Sequence, residues 1–135
     1  MQIVDQIQEI FKDLLPGHLG FEIVSADPQE VVGRLVVGDA LCTTGGILHG
    51  GSSMALADTL GAVGTFLNLP PGARTSTVES KTNFVGAARL GQTVVGACTL
   101  KHKGRTMMLW QTELRTTEGK LVALVSQSQI VMRDG

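Results

Sequence analysis

Aromatic residues are scarce in this chain: four Phe, one Trp and no Tyr among 135 residues. A stacking platform for single-stranded nucleic acid needs several exposed rings, so that class is excluded. No excess of one charge is present either, and a net charge of −1 gives no drive toward nucleic acid or membranes. The two cysteines, Cys42 and Cys98, lack metal or redox spacing and are expected to be reduced, buried side chains. His18, His49 and His102 are widely separated, so no metal site is expected. A pairing of Cys42 with His49 has no charged neighbour to activate the thiol. No apolar run reaches the roughly 18 residues of a membrane span. The opening MQIVDQIQEIF mixes acids with apolar residues and has no basic region, unlike a signal peptide. A cytoplasmic location is expected. Phosphate-binding glycine motifs are missing, and GGSSM is not the G-x-S-x-G elbow of a serine hydrolase.

What is present is apolar. Hydrophobic residues make up 43% of the chain, enough for one core over a single domain, 1–135. Charge is divided along the sequence. Residues 1–73 carry eight acids against two bases, net −6, and residues 74–135 carry nine bases against four acids, net +5. Either this is solvated surface, or part of the basic half meets an anionic ligand.

Ile3, Ile7, Ile10, Phe11, Leu14 and Leu15 recur at helical spacing, which predicts an N-terminal helix over 1–17, halted by the PGHLG stretch. FEIVSAD and EVVGRLVVGD read as two strands around a turn at 27–29. Residues 40–50 read as a loop, and 51–67 as a long helix closed by NLPPGAR. Four more strands are predicted over 75–85, 92–103, 106–116 and 121–132, separated by short Gly-containing turns that favour antiparallel pairing. The expected class is α+β, with an antiparallel sheet of about six strands curled around one long helix.

That helix carries the chemistry. Leu56, Leu60, Val63 and Leu67 form a core stripe, while Gly51, Met54, Asp58, Gly61, Ala62 and Thr65 form a second, mostly small face open to close approach. Asp58 lies about two turns in, too deep for an N-cap. Its neighbours one turn away, Met54, Ala55, Gly61 and Ala62, are all uncharged. The nearest cationic residue in sequence is Arg74. Burying a carboxylate without a partner is costly, and proteins accept such costs at active sites. A structural bridge is the alternative. At the helix start, Gly50 and Gly51 expose backbone N–H groups that suit a developing oxyanion, and His49 is placed to orient the loop or the ligand. Asp58 is about 12 Å further along, at 1.5 Å per residue. One chain therefore cannot bring both groups to one carbonyl, whereas two antiparallel helices from two subunits can. A symmetric dimer with two composite sites is predicted.

LHGGSSMALADTLG, with TVESKTNFVGAARLGQTV downstream, resembles the hot-dog-fold acyl-CoA thioesterases, nearest the phenylacetate-pathway and 4-hydroxybenzoyl-CoA thioesterase type. The motif is His49-Gly50-Gly51 followed by Asp58, with a second element from Asn83 to Gly91. The resemblance implies a dimer joined edge to edge through its sheets, commonly paired into a tetramer, that cleaves an acyl-CoA to acid and CoA. Gly50 N–H would polarise the thioester carbonyl and Asp58 of the other subunit would act as nucleophile or general base. Thr59 matches a hydroxyl seen beside the acid in some members and implied to help position water. Asn83 and Phe84 would lie near the coenzyme A moiety. No cofactor is implied beyond the coenzyme A of the substrate. The chain departs from the pattern at Thr43, where many members have Asn or Gln, at Ala62 and at Gly86. Arg89, Lys101, Lys103 and Arg105 are candidates for the CoA phosphates. A non-catalytic acyl-CoA or acyl-carrier binding protein is the alternative reading of the same features, and hydration of an acyl thioester is a third.

Overall fold

Apolar residues one turn apart set the first element of the computed structural model, which describes residues 2–133. The expected bounds at 1 and 135 lie outside the described residues. Helix α1 runs Ile3–Phe11 and buries Ile7. The single helix expected over 1–17 is instead broken after Phe11 and resumes as a short α2, Leu15–His18. Pro16 sits in its first turn, where a missing N–H breaks no helical bond, so this proline begins a helix instead of ending one.

Strands β1, Glu22–Ala26, and β2, Glu30–Val36, follow. Asp27 closes the turn between them by accepting from the N–H groups of Gln29 and Glu30 at 2.7 and 3.0 Å. The stretch expected to be loop holds a single-turn helix, Asp39–Leu41, and a small hairpin of β3, Cys42–Thr43, and β4, Ile47–Leu48. Helix α3 spans Gly50–Phe66. Strands β5, Arg74–Phe84, β6, Thr93–Lys103, β7, Met107–Thr116, and β8, Leu121–Met132, complete the chain. Six strands form one antiparallel sheet in the order β1-β2-β6-β7-β8-β5, the expected α+β hot-dog architecture.

Helix α3 lies on the inner face of this sheet. Leu56 and Leu60 are fully buried, and each contributes about 1.5–3 kcal/mol of transfer free energy. The sheet has a dimple beneath them: Gly33 of β2 and Gly96 of β6 are register partners. A methyl group at either would lie within 3 Å of a Leu60 methyl, at 2.7 and 2.9 Å. The absent side chains let the helix settle close to the sheet. Among the described residues, no helix is long and apolar enough to cross a membrane.

Candidate active site

The start of α3 is held by its own loop. His49 caps the helix, its Nδ1 accepting from Gly51 N–H at 2.7 Å. The His49 carbonyl accepts from Ser52 and Ser53 N–H. His49 N–H and the Ser52 hydroxyl both donate to the Leu41 carbonyl, which ties the helix to the preceding turn. Gly51 therefore offers no free donor, contrary to the sequence expectation, because the imidazole two residues earlier takes it. Gly50 N–H has no acceptor among the described residues and sits at the positive end of the helix dipole. The Phe84 ring lies over Gly50, where a Cβ would come 2.9 Å from Phe84 Cε1.

A cleft of about 350 Å³ opens here, lined by Ile47, Leu48, Gly50, Ser53, Phe84 and Val85 among others. Thr43 pairs with Ile47 in the β3–β4 hairpin, and Arg89 forms a bridge with Ile47. Asn83, next to Phe84, is exposed and accepts from Lys81 Nζ at 3.2 Å. The structure thus gathers His49, Gly50, Gly51, Thr43, Asn83, Phe84 and Arg89 at one end of α3. Lys103 and Arg105 fall elsewhere. Lys103 lines a separate cleft with Asn68, Leu69 and Pro70, the residues just past the other end of α3, and the Arg105 carbonyl accepts from Arg133 Nη1. The candidate phosphate-binding bases are not grouped within one chain, because β6 carries Lys103 to the far end of the helix, about 25 Å along its 17 residues.

Asp58 is half-buried two turns along α3. It faces a second cleft, about 290 Å³, formed with Phe11, Leu15, Pro16, Ala55, Thr59 and Ala62. The sequence expectation of an unpartnered carboxylate is corrected here. Thr77 of β5 donates its hydroxyl to Asp58 Oδ1 at 2.6 Å. Gln129 of β8 donates Nε2–H to Thr77 Oγ1 at 2.7 Å, and Thr75 donates its hydroxyl to Gln129 Oε1 at 3.1 Å. A hydroxyl-and-amide chain, rather than the cation usually sought beside a carboxylate, partners Asp58. Its signal was the run of polar residues at alternate positions, Thr75 and Thr77, on a strand face that points inward. Thr59 donates to the Ala55 carbonyl one turn back at 2.7 Å, so its proton is engaged by the helix and only its lone pairs are left for water.

The small face of α3 is narrower than expected. Gly61 and Thr65 are buried against the sheet. Gly61 packs on the Gln127 side chain, and Thr65 Oγ1 accepts from Trp110 Nε1 at 2.8 Å. Gly51, Met54, Asp58 and Ala62 remain accessible. A third, apolar groove of about 280 Å³ runs between α1 and α3, lined by Ile7, Ile10, Val63, Phe66 and Thr75. It shares Phe11 and Ala62 with the Asp58 cleft, so the two are continuous. Cys98 is buried, and burial pushes its thiol up to about 11, well outside the range of a nucleophile. No group of His, Cys, Asp or Glu among the described residues has the arrangement to hold a metal ion.

The thioesterase superfamily model matches residues 45–123, from the β3–β4 hairpin through α3 to the start of β8. The proofreading thioesterase EntH of Cronobacter turicensis is 30% identical over 118 residues, which cover 87% of this chain and 85% of that one. The 1,4-dihydroxy-2-naphthoyl-CoA hydrolase of Escherichia coli is 36% identical over 76 residues, 56% of this chain and 55% of that one. A solved thioesterase structure from Haemophilus influenzae superposes with a TM-score of 0.92 at 26% identity, covering 98% of this chain and 92% of that chain.

Proposed function

The chain belongs to the thioesterase superfamily and is a hot-dog-fold thioesterase, and on that premise we propose that it hydrolyses an aryl- or medium-chain acyl-CoA at sites shared between two subunits. The observation that carries this reading is the placement of a free backbone donor and a carboxylate with one oxygen still open on one helix. Among the described residues, Gly50 N–H lacks an acceptor at the helix start, and Asp58 Oδ2 has no hydrogen-bond partner two turns further along. They are too far apart to act together within one subunit.

In a dimer with α3 helices antiparallel, Gly50 N–H of one subunit faces Asp58 of the other. The thioester oxygen accepts from that N–H, which stabilises the negative charge that grows on it as the carbon becomes tetrahedral. Asp58 attacks the carbon directly or takes a proton from the water that does. The products are the acid and CoA, with water consumed. The edge strand β5 supports such a pairing, because among the described residues its one strand partner is β8 and its other edge is open. Pairing of dimers into a tetramer accords with the same reading. No cofactor is needed, since coenzyme A enters as part of the substrate, and Arg89 beside the Gly50 cleft is a candidate partner for its phosphates.

Two observations support the acyl class. The groove continuous with the Asp58 cleft is lined by aliphatic and aromatic side chains. The Escherichia coli relative is named for an aromatic CoA thioester. The test is release of CoA from benzoyl-, acetyl-, hexanoyl- and palmitoyl-CoA, with Asp58→Ala as control. Turnover of the aryl or medium-chain substrates that disappears in Asp58→Ala is expected. Full turnover in Asp58→Ala, or tight acyl-CoA binding with no CoA released, would overturn the reading.

A further inference from the structure

We infer that Thr77 and Gln129 are positioning residues that fix which oxygen of Asp58 is presented to the substrate. This inference rests on the proposed role of Asp58. An aspartate on a helix has a broad, nearly two-fold χ2 torsion, so its two oxygens interchange easily unless one of them is held. Here one is held. The 2.6 Å contact from Thr77 to Oδ1 is in the short range of hydrogen bonds to charged acceptors.

The polarity of the chain follows from counting protons. A threonine hydroxyl has one proton to give and lone pairs to receive. The Thr77 oxygen receives from Gln129 Nε2, and its own proton goes to Asp58. Thr75 gives its proton to Gln129 Oε1, which leaves the Gln129 amide nitrogen turned toward Thr77. An ionised carboxylate accepts only, so each link runs in one direction: Thr75 to Gln129 to Thr77 to Asp58. Gln129 is 0% exposed. No water competes for its amide, and leaving either end unpaired would cost about 1–3 kcal/mol. The rotor of Thr77 is therefore locked from behind.

The strand is shaped to do this. The β5–β8 register slips between Thr77 and Glu79, and Val78 at the slip is 58% exposed. Ahead of this bulge the odd positions Thr75 and Thr77 point inward, and beyond it the even positions Ser80 and Thr82 do. Bulges re-aim side chains beside functional sites. Here the bulge immediately follows the residue that grips the carboxylate. An apolar pair at 77 and 129 would fill the same space without burying the Gln129 amide and the Thr77 hydroxyl, so packing alone does not call for this chain.

The test uses steady-state CoA release from whichever of benzoyl-CoA or hexanoyl-CoA the wild-type enzyme turns over, with thermal melts run in parallel. Thr77→Val keeps the shape and removes the hydroxyl. It should lower kcat about 10- to 100-fold with KM within about twofold, the scale expected when a catalytic group is slightly misplaced. Thr77→Ser should restore most of kcat. Gln129→Met should fall the same way as Thr77→Val, and the double variant should be no worse than the poorer single one, because the two act in series. A purely structural role would instead lower the melting temperature and leave the kcat of the folded fraction alone. A folded Thr77→Val with wild-type kcat, or Thr77→Ser as impaired as Thr77→Val, overturns the inference. If Thr77→Val fails to fold, Gln129→Met with wild-type kcat overturns it. Dead Asp58→Ala beside active Thr77→Val removes this inference alone, whereas active Asp58→Ala removes the underlying reading and this one with it.

Discussion

The proposed site shared between subunits requires that two inactive variants of this chain regenerate an active enzyme when their subunits mix. Gly50 is the first residue of α3, and proline is favoured at that position. His49 has ψ 137°, an extended conformation that suits the residue before a proline. Gly50→Pro therefore deletes the free N–H with little disturbance to the helix, and the exposed Phe84 ring has room to shift away from the new ring. Loss of one oxyanion donor lowers kcat by about 10²–10³. Asp58→Ala removes the carboxylate. A carbonyl oxygen within about 3 Å of its donor and a carbon within about 3.5 Å of its attacker need the two groups within roughly 7 Å of each other. Within one chain they are about 12 Å apart along the helix. In a heterodimer of the two variants, one site combines the intact Gly50 of the first subunit with the intact Asp58 of the second, and the other site carries both defects. Random assembly makes about half of the dimers mixed, so unsorted coexpressed protein should reach about a quarter of wild-type specific activity. Heterodimer purified through two different tags should reach about half. A mixture no more active than either parent would show that both groups do not meet across subunits.

Gly64→Ala should destabilise the fold, because the new methyl would lie 2.4 Å from Trp110 Cη2 and that indole is 1% exposed. A 2.4 Å approach to a buried ring places the overpacking cost at about 2–3 kcal/mol, which outweighs about 1 kcal/mol of helix propensity, so the melting temperature should drop by roughly 3–8 °C, and an unchanged or higher value refutes the packing argument. Iodoacetamide at pH 8 should modify Cys42 in the native protein and spare Cys98, whose thiol at about 11 is ionised in only about one molecule per thousand. Equal labelling of both without denaturant would contradict the burial of Cys98. Phe11→Ala joins the Asp58 cleft more widely to the apolar groove and should shift the kcat/KM ratio of decanoyl- to acetyl-CoA upward by about tenfold. Ala62→Leu should shift that ratio the other way, and ratios that do not move place the acyl chain elsewhere.

The four C-terminal strands were legible to within about one residue, since alternation is strong there and glycine-bearing turns mark each boundary. Helix α3 was legible from its length and its small-residue composition. The β3–β4 hairpin was not, because strands of two residues carry no period. Pro16 misled for a related reason: a proline ends one helix and opens another equally well, and only the following turn decides. At the site, the glycine-rich helix start and Asp58 stood out by residue type alone. The groups that complete them did not. Thr77 comes 19 residues after Asp58 and Gln129 lies on the last strand, and neither bears the charge for which a carboxylate's partner is usually sought. The fate of Gly51 N–H depended on the rotamer of His49. Lys103 and Arg105 looked like companions of Arg89 by composition, and only the strand order showed that they lie beyond the opposite end of α3.

With one tryptophan and no tyrosine, this chain carries a single strong fluorophore, and the fold has put it where the central helix meets the sheet. Trp110 lies beneath Gly64 and donates to the Thr65 hydroxyl, both on α3. A buried indole emits toward the blue and moves to the red once water reaches it. The emission maximum therefore reads out the seating of the helix that bears both Gly50 and Asp58, with no label and no background from other residues.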